Sequence, residues 1–231
     1  MLIKLILLDA DDTLWHNMRH FDAAERALAE MLAPLAEAGI TRATLSQVEA
    51  RNLRHYGYGA KSFTLSMIET AIELGGDVLP ISTVREILEA GRDLLAHPVE
   101  LLDGVGETID ALSQLGELVL VTKGELLHQE MKLAASGLGD YFSRVEIVSD
   151  KSADTFRRLI ADHGVDPAQA IMAGDSLRSD IRPALEAGAW AAYVPHDIVW
   201  SHERAPEPEG HPRYRRIACL GDLPALIEQL G

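Results

Sequence analysis

Five short, almost unbroken apolar runs, at residues 2–8, 118–122, 145–148, 170–173 and 189–194, constrain this chain more than any other feature. A strand with one wet face alternates apolar and polar residues, whereas a run that stays apolar is dry on both faces. Such strands belong to a parallel sheet covered by helices on either side. The segments between the runs supply those helices. One carries Val105, Ile109, Leu112 and Leu115 and stops near Gly116; a second carries Leu127, Met131 and Ala134. A third has Phe156, Leu159 and Ile160, and a fourth has Ile181, Ala184 and Leu185 with Gly188 placed to cap it. Strand and helix in succession predict a doubly wound α/β fold.

One stretch interrupts the alternation. Residues 15–98 are helical in pattern throughout. The first segment carries Phe21, Leu28, Met31, Leu32 and Leu35; the next carries Leu65, Ile68, Ala71 and Ile72; another carries Val84, Ile87, Leu88 and Leu95. Roughly 80 residues inserted after the first strand are enough for a small domain of their own. The expected division is therefore an α/β core of residues 1–14 and 99–231 with an all-helical cap of residues 15–98. Residues 195–216, rich in Pro, Glu and His, carry no periodicity and read as a long surface loop before a last helix at Leu223–Leu230.

Charge narrows the partners. The chain has 36 Asp and Glu against 21 Lys and Arg, a formal net charge of −15. A field of that sign disfavours nucleic-acid backbones and anionic membranes. With Cys219 as its single cysteine the chain forms neither an internal disulfide nor a thiolate zinc site. The apolar start is too short for a membrane span and runs into Asp9, Asp11 and Asp12, where a secretory signal needs small residues. A cytoplasmic protein is the expectation.

The strand ends carry the chemistry. Asp9-Ala10-Asp11-Asp12-Thr13 follows the first run; Thr122 ends the second; Asp150-Lys151 follows the third; Gly174-Asp175-Ser176 follows the fourth. In an open parallel sheet the carboxyl ends share one edge, and ligands bind there. Three carboxylates, a hydroxyl and a lysine would thus converge, a set suited to a divalent cation and a phosphoryl group. In extended chain Asp9 and Asp11 face the same way, so one carboxylate can attack phosphorus while the other supplies a proton. Mg²⁺ prefers a few carboxylates with phosphate and water oxygens, which Asp9 and Asp175 offer. Lys151 and Thr122 would neutralise and hydrogen-bond the transferring group.

These four motifs, in order and each after an expected strand, resemble those of the haloacid dehalogenase-like hydrolase superfamily, in its phosphatase branch with a helical cap after the first strand. The likeness runs from residue 2 to residue 194 and includes Gly174-Asp175-Ser176-Leu177-Arg178-Ser179-Asp180. It implies a Rossmann-like core, Mg²⁺ as cofactor and a small phosphorylated molecule as substrate. By the same resemblance Asp9 is the nucleophile and Asp11 the general acid/base, its backbone carbonyl also a Mg²⁺ ligand. Asp175 is a further metal ligand, and Asp180 stands behind the metal near Lys151. Two positions depart from the pattern: Lys123 follows Thr122 where relatives have Asn, and Ser152 follows Lys151 without the usual proline.

Other readings share this core. Halide needs no proton, so a dehalogenase has no use for Asp11; phosphonatases use a cap lysine, here Lys61, but also lack the second aspartate. A phosphomutase keeps every core residue and differs in excluding water from the phospho-enzyme. A non-catalytic phospho-acceptor module shares the sheet and acidic pocket but not the cap or Asp11. Within the cap, Tyr58 and Lys61 flank Gly59 at a helix break and are the candidates for contacting the substrate's non-reacting end. Asp12 reads as a turn residue, and His196, His202 and His211 as solvated loop residues. The sequence leaves substrate identity and oligomeric state open.

Overall fold

The computed structural model describes residues 2–230, which divide into two compact units: residues 2–18 with those from Val99 on, and Arg19–Pro98. The first is a six-stranded parallel sheet of β1 (Leu5–Leu8), β2 (Glu117–Lys123), β3 (Arg144–Val148), β4 (Ala170–Gly174), β5 (Trp190–Tyr193) and β6 (Tyr214–Arg216), in the order β3-β2-β1-β4-β5-β6. The chain builds outward from β1 on one side, then returns to β4 on the other. The topological switch therefore lies between β1 and β4.

Successive residues of β1, β2, β4 and β5 alternate between two dry layers. Strand β3, expected from its apolar run to be dry on both faces, is only partly buried and leaves Val145 exposed. Ile6, Leu8, Leu118, Leu120, Ile171 and Ala173 face helices α5 (Val105–Ser113) and α9 (Leu223–Leu230) through Val105, Ile109, Leu223 and Ile227. Leu5, Leu7, Val119, Val121, Ala170 and Met172 face α7 (Ala153–Asp162) and α8 (Arg182–Glu186) through Phe156, Leu159, Ile160 and Ala184. With both faces covered, unbroken apolar strands are the ones that fold. β1 starts at Leu5 rather than residue 2, because Leu2 lies outside the sheet and is exposed.

β6 corrects the sequence expectation, since it lies inside the stretch read as loop. It is short and charged, Tyr-Arg-Arg, and pairs in parallel with β5. Tyr214 packs against one apolar layer, while the two arginines lie on ring faces: Arg215 sits 5.0 Å over the Trp190 ring and Arg216 5.3 Å over the Tyr193 ring. Such an edge strand leaves no hydrophobic run to read.

The second unit is helical: α1 (Met18–Met31, entering from the core), α2 (Ala38–Tyr56), α3 (Ala60–Gly75) and α4 (Ile81–Ala96). Its core gathers Leu28, Leu32, Leu45, Phe63, Met67, Ala71, Ile87 and Leu94. α3 packs against both α2 and α4. The sequence reading of α3 had its period right and its face half right, since Ala71 is buried and Ile68 packs against the core. Leu65 and Ile72 are exposed, while Ser62, Thr64, Ser66 and Thr70 are buried. Burying hydroxyls is tolerable here because Thr64, Ser66 and Thr70 each donate to the carbonyl four residues back, at 2.7, 3.0 and 2.7 Å. Small side chains allow close helix approach. A Cβ at Gly91 of α4 would stand 2.2 Å from the Thr64 hydroxyl, so this crossing requires glycine. Among the described residues no helix is long and apolar enough to cross a membrane.

Candidate active site

Strand register brings the sequence motifs level. Leu8 pairs with Leu120 of β2 and with Ala173 of β4, so Asp9, Thr122 and Asp175 leave their strands within a residue or two of one another. The Asp9 amide still donates to the Ala173 carbonyl at 3.0 Å, which holds the start of the acidic loop to β4.

Asp9 is buried. Its Oδ1 accepts from the Lys151 ammonium, and its Oδ2 accepts from the Thr13 hydroxyl at 3.1 Å. Lys151 also donates to Asp180 Oδ1 at 2.7 Å, and Asp180 Oδ2 accepts from the Ser176 amide at 2.9 Å. Thr13 Oγ1 in turn accepts from the Asp175 amide at 3.1 Å, tying the β1 loop to the β4 loop. A Cβ on Gly174 would meet Asp180 Oδ2 at 2.3 Å, so the close seating of Asp180 depends on glycine at that position.

Oxygens of Asp9, Asp175 and Asp180 lie within 4.8 Å of one another. Burial raises the Asp9 carboxyl to about 7; Lys151 opposes the shift, and the charges of Asp180 and Asp11 add to it. Asp175 is pushed well above the carboxylate range by burial and then by Asp9, Asp180 and Asp12. Burial also acts on Lys151, but Asp180 and Asp9 outweigh it and raise its ammonium further, so it stays charged. The carboxylates of Asp9, Asp175 and Asp180 thus gather hard oxygen donors around one point beside the Lys151 ammonium. That chemistry fits Mg²⁺, which takes hard oxygen ligands.

Asp11 is held differently. Trp15 Nε1 donates to its Oδ1 at 2.7 Å, Lys132 Nζ to the same oxygen at 2.5 Å, and Gln129 Nε2 to Oδ2 at 3.2 Å. Burial alone would raise this carboxyl, but the Lys132 charge and the three donors outweigh it and hold it below the usual range. Gln129 Nε2 also donates to Thr122 Oγ1 at 2.7 Å, linking the second motif to the first.

Gln129 and Lys132 were missed from the sequence. They lie on α6 (Leu126–Ser136), expected to bury Leu127 and Met131. Those two are instead 63% and 56% exposed, while His128, Gln129 and Lys132 are buried. α6 turns its polar face inward, toward the strand ends. The available signal was a Gln and a Lys three residues apart on the helix that directly follows Thr122.

Asp12 has φ +61°, a left-handed conformation that aspartate tolerates better than most residues. Its carboxylate accepts from the amides of Asn17 and Met18 at 2.9 to 3.0 Å, so it caps the approach to α1, a turn role as the sequence suggested. His196 is not a solvated loop residue: its Nε2 stands 3.6 Å from Asp12 Oδ1 and its ring is half-buried. His202 packs against Trp200 with ring centroids 4.7 Å apart, and His211 is exposed. Lys123 turns from the phosphate motif toward the loop before β6, donating to Ser179 Oγ at 2.7 Å and to Glu203 Oε1 at 2.5 Å. Glu203 was not singled out in the sequence. Burial would raise it, but Lys123 and hydroxyls from Ser176 and Ser179 hold it below the ordinary range. In the helical unit, Tyr58 is half-buried in the turn between α2 and α3, and Lys61 is exposed in the first turn of α3.

Known proteins resemble this chain along most of its length. Over 96% of each chain, the protein is 29% identical to a phosphoserine phosphatase of Thermus thermophilus. It is 28% identical to a glyceraldehyde 3-phosphate phosphatase of Methanopyrus kandleri, over 81% of this chain and 82% of the relative. A crystal structure of a haloacid dehalogenase-like hydrolase from Xanthomonas campestris superposes with a TM-score of 0.88 at 38% identity, covering 99% of this chain and 91% of that one. The model of the haloacid dehalogenase-like hydrolases matches residues 3–188, and the chain therefore belongs to that family of hydrolases.

Proposed function

We propose that the protein hydrolyses a small phosphate monoester in a Mg²⁺-dependent reaction through a phospho-aspartyl intermediate on Asp9. The observation that carries this reading is the Asp9 carboxylate, gripped by Lys151 and Thr13 and close to oxygens of Asp175 and Asp180. The phosphatase activities named for its curated relatives support the same reaction class.

In the first step an Asp9 oxygen attacks phosphorus and the ester P–O bond breaks. Asp11 delivers a proton to the leaving oxygen, which departs as the alcohol. In the second step water attacks the phospho-aspartate; Asp11 takes its proton, the Asp9–phosphorus bond breaks, and inorganic phosphate leaves. An entering phosphate dianion disfavours the Asp11 carboxylate and so offsets the hold of Lys132, letting Asp11 carry the proton it must donate. Lys151 and the Thr122 hydroxyl meet the oxygens of the transferring group. Asp9, the Asp11 carbonyl and Asp175 would hold Mg²⁺, with Asp180 behind them; when bound, the ion supplies positive charge to the phosphoryl oxygens. Tyr58 and Lys61 are the proposed contacts to the remainder of the substrate. Replacing either with alanine should then alter the ranking of substrates while leaving p-nitrophenyl phosphate turnover nearly unchanged.

The test is phosphate release from p-nitrophenyl phosphate and a panel including phosphoserine and glyceraldehyde 3-phosphate, with Mg²⁺ and with EDTA. The account expects release with Mg²⁺ and none with EDTA. A folded protein that releases no phosphate from any monoester with Mg²⁺ present contradicts it.

A further inference from the structure

We infer that Glu203 is a positioning residue for the divalent-cation site, acting through Ser176, Ser179 and Lys123 on the turn that bears Asp175 and Asp180. The inference rests on the metal reading proposed above.

Residues 175–181 are irregular. The chain leaves β4, passes through a π-type turn at Leu177–Ile181, and only then enters α8. The amides of Asp180 and Ile181 both reach back to the Ser176 carbonyl, at 3.0 and 3.1 Å, and the Ser179 amide donates to Ser176 Oγ at 2.9 Å. Wide turns of this kind are often found at functional sites and are less self-supporting than α-helix. Ser176 is the hub, because its amide also fixes Asp180 Oδ2.

Glu203 supplies the missing support from outside the turn. Its Oε2 accepts from both Ser176 Oγ and Ser179 Oγ at 2.5 Å, while its Oε1 accepts from Lys123 at 2.5 Å. Lys123 donates to Ser179 as well. One carboxylate thus joins the end of β2, the acidic turn after β4 and the long segment between β5 and β6. The side chains of Lys123 and Glu203 are only 12% and 14% exposed, so these bonds are largely shielded from competing water. Fixing both serine hydroxyls fixes the backbone from which Asp175 and Asp180 project. Outer partners that orient metal-binding carboxylates are worth about 10- to 100-fold in metal affinity.

The experiment measures Mn²⁺ dissociation constants by the free-ion EPR signal for the full-length protein and three variants, with Tm in EDTA as the folding control. Glu203→Gln removes the charge that holds Lys123. Ser179→Ala removes one hydroxyl and leaves every charge in place, which keeps the test decisive if a Glu203 variant does not fold. Glu209→Gln makes the same change of net charge at an exposed position of the same segment. Expected is a weakening of about tenfold or more in Glu203→Gln, a smaller one of several-fold in Ser179→Ala, and none in Glu209→Gln. Affinities within twofold of the unmodified protein in both Glu203→Gln and Ser179→Ala overturn the inference. Equal weakening in Glu203→Gln and Glu209→Gln also overturns it, since bulk charge then explains the effect. An unmodified protein that binds no Mn²⁺ overturns the metal reading itself, and this inference with it.

Discussion

Asp9 and Asp11 are two residues apart, and their surroundings drive their acidities in opposite directions. Burial among like charges raises Asp9, whereas Lys132, Trp15 and Gln129 lower Asp11. In the proposed mechanism each works against this bias: Asp9 needs a cation beside it to be ionised for attack, and Asp11 needs the entering phosphate to offset Lys132 before it can carry a proton. Lys132→Met removes the largest influence lowering Asp11 and leaves burial opposed only by the Trp15 and Gln129 hydrogen bonds, so the Asp11 pKa should rise. The basic limb of the kcat profile, which requires Asp11 protonated, should move to higher pH. A basic limb that stays in place or moves to lower pH would contradict the assigned pairing. None of this was legible from the sequence. Asp9, Asp11, Thr122, Lys151, Asp175 and Asp180 stand beside recognisable strand ends, whereas Gln129, Lys132 and Glu203 are ordinary polar residues until the fold turns them inward.

At the scale of elements, periodicity identified most strands and helices and the buried faces of α5, α7 and α8, but misjudged that of α6 and part of that of α3. α6 hides its polar side because the strand ends need partners there, and α3 hides hydroxyls because they bond to their own helix. Hydrophobic pattern measures transfer to a dry core, so it is blind to a face buried for hydrogen bonding. β6 escaped for a related reason: two of its three residues are arginines packed on rings. The α3–α4 crossing offers a contest of magnitudes. Gly91→Ala gains about 0.8–1 kcal/mol of helix propensity, while forcing a methyl against Thr64 costs about 1–3 kcal/mol. Net destabilisation is predicted, read as a lower Tm or urea midpoint; a stabilised variant would show that the two helices separate easily.

For the whole molecule the issue is charge. The chain carries −15, and its proposed site adds a knot of buried carboxylates. The ordinary value for these aspartates is 3.8, and Asp9 and Asp12 are raised to about 7 and about 6, with Asp175 raised as well. A raised carboxyl pKa contributes stability that is complete below the ordinary value and is lost as pH rises through the folded value. Asp11 and Glu203 are shifted downward, so their contribution is already complete above the ordinary range. Without metal, stability should therefore fall between pH 5.5 and pH 8. Mg²⁺ at the proposed site would bind the ionised forms, so its stabilising effect should grow over the same interval. At about 100 times the dissociation constant it amounts to about 2.7 kcal/mol. Thermal melts with EDTA and with Mg²⁺ at the two pH values check this; a Mg²⁺ effect larger at pH 5.5 would contradict it.

The central claim is that Asp9 becomes phosphorylated. Its most direct test is acid quench of the Mg²⁺-loaded protein during turnover of a ³²P-labelled monoester, followed by peptide mapping beside Asp9→Asn. The account predicts label on the peptide bearing Asp9, chased away by unlabelled substrate, with neither label nor phosphate release in Asp9→Asn. Steady phosphate release from Asp9→Asn, or label confined to another residue, would contradict it.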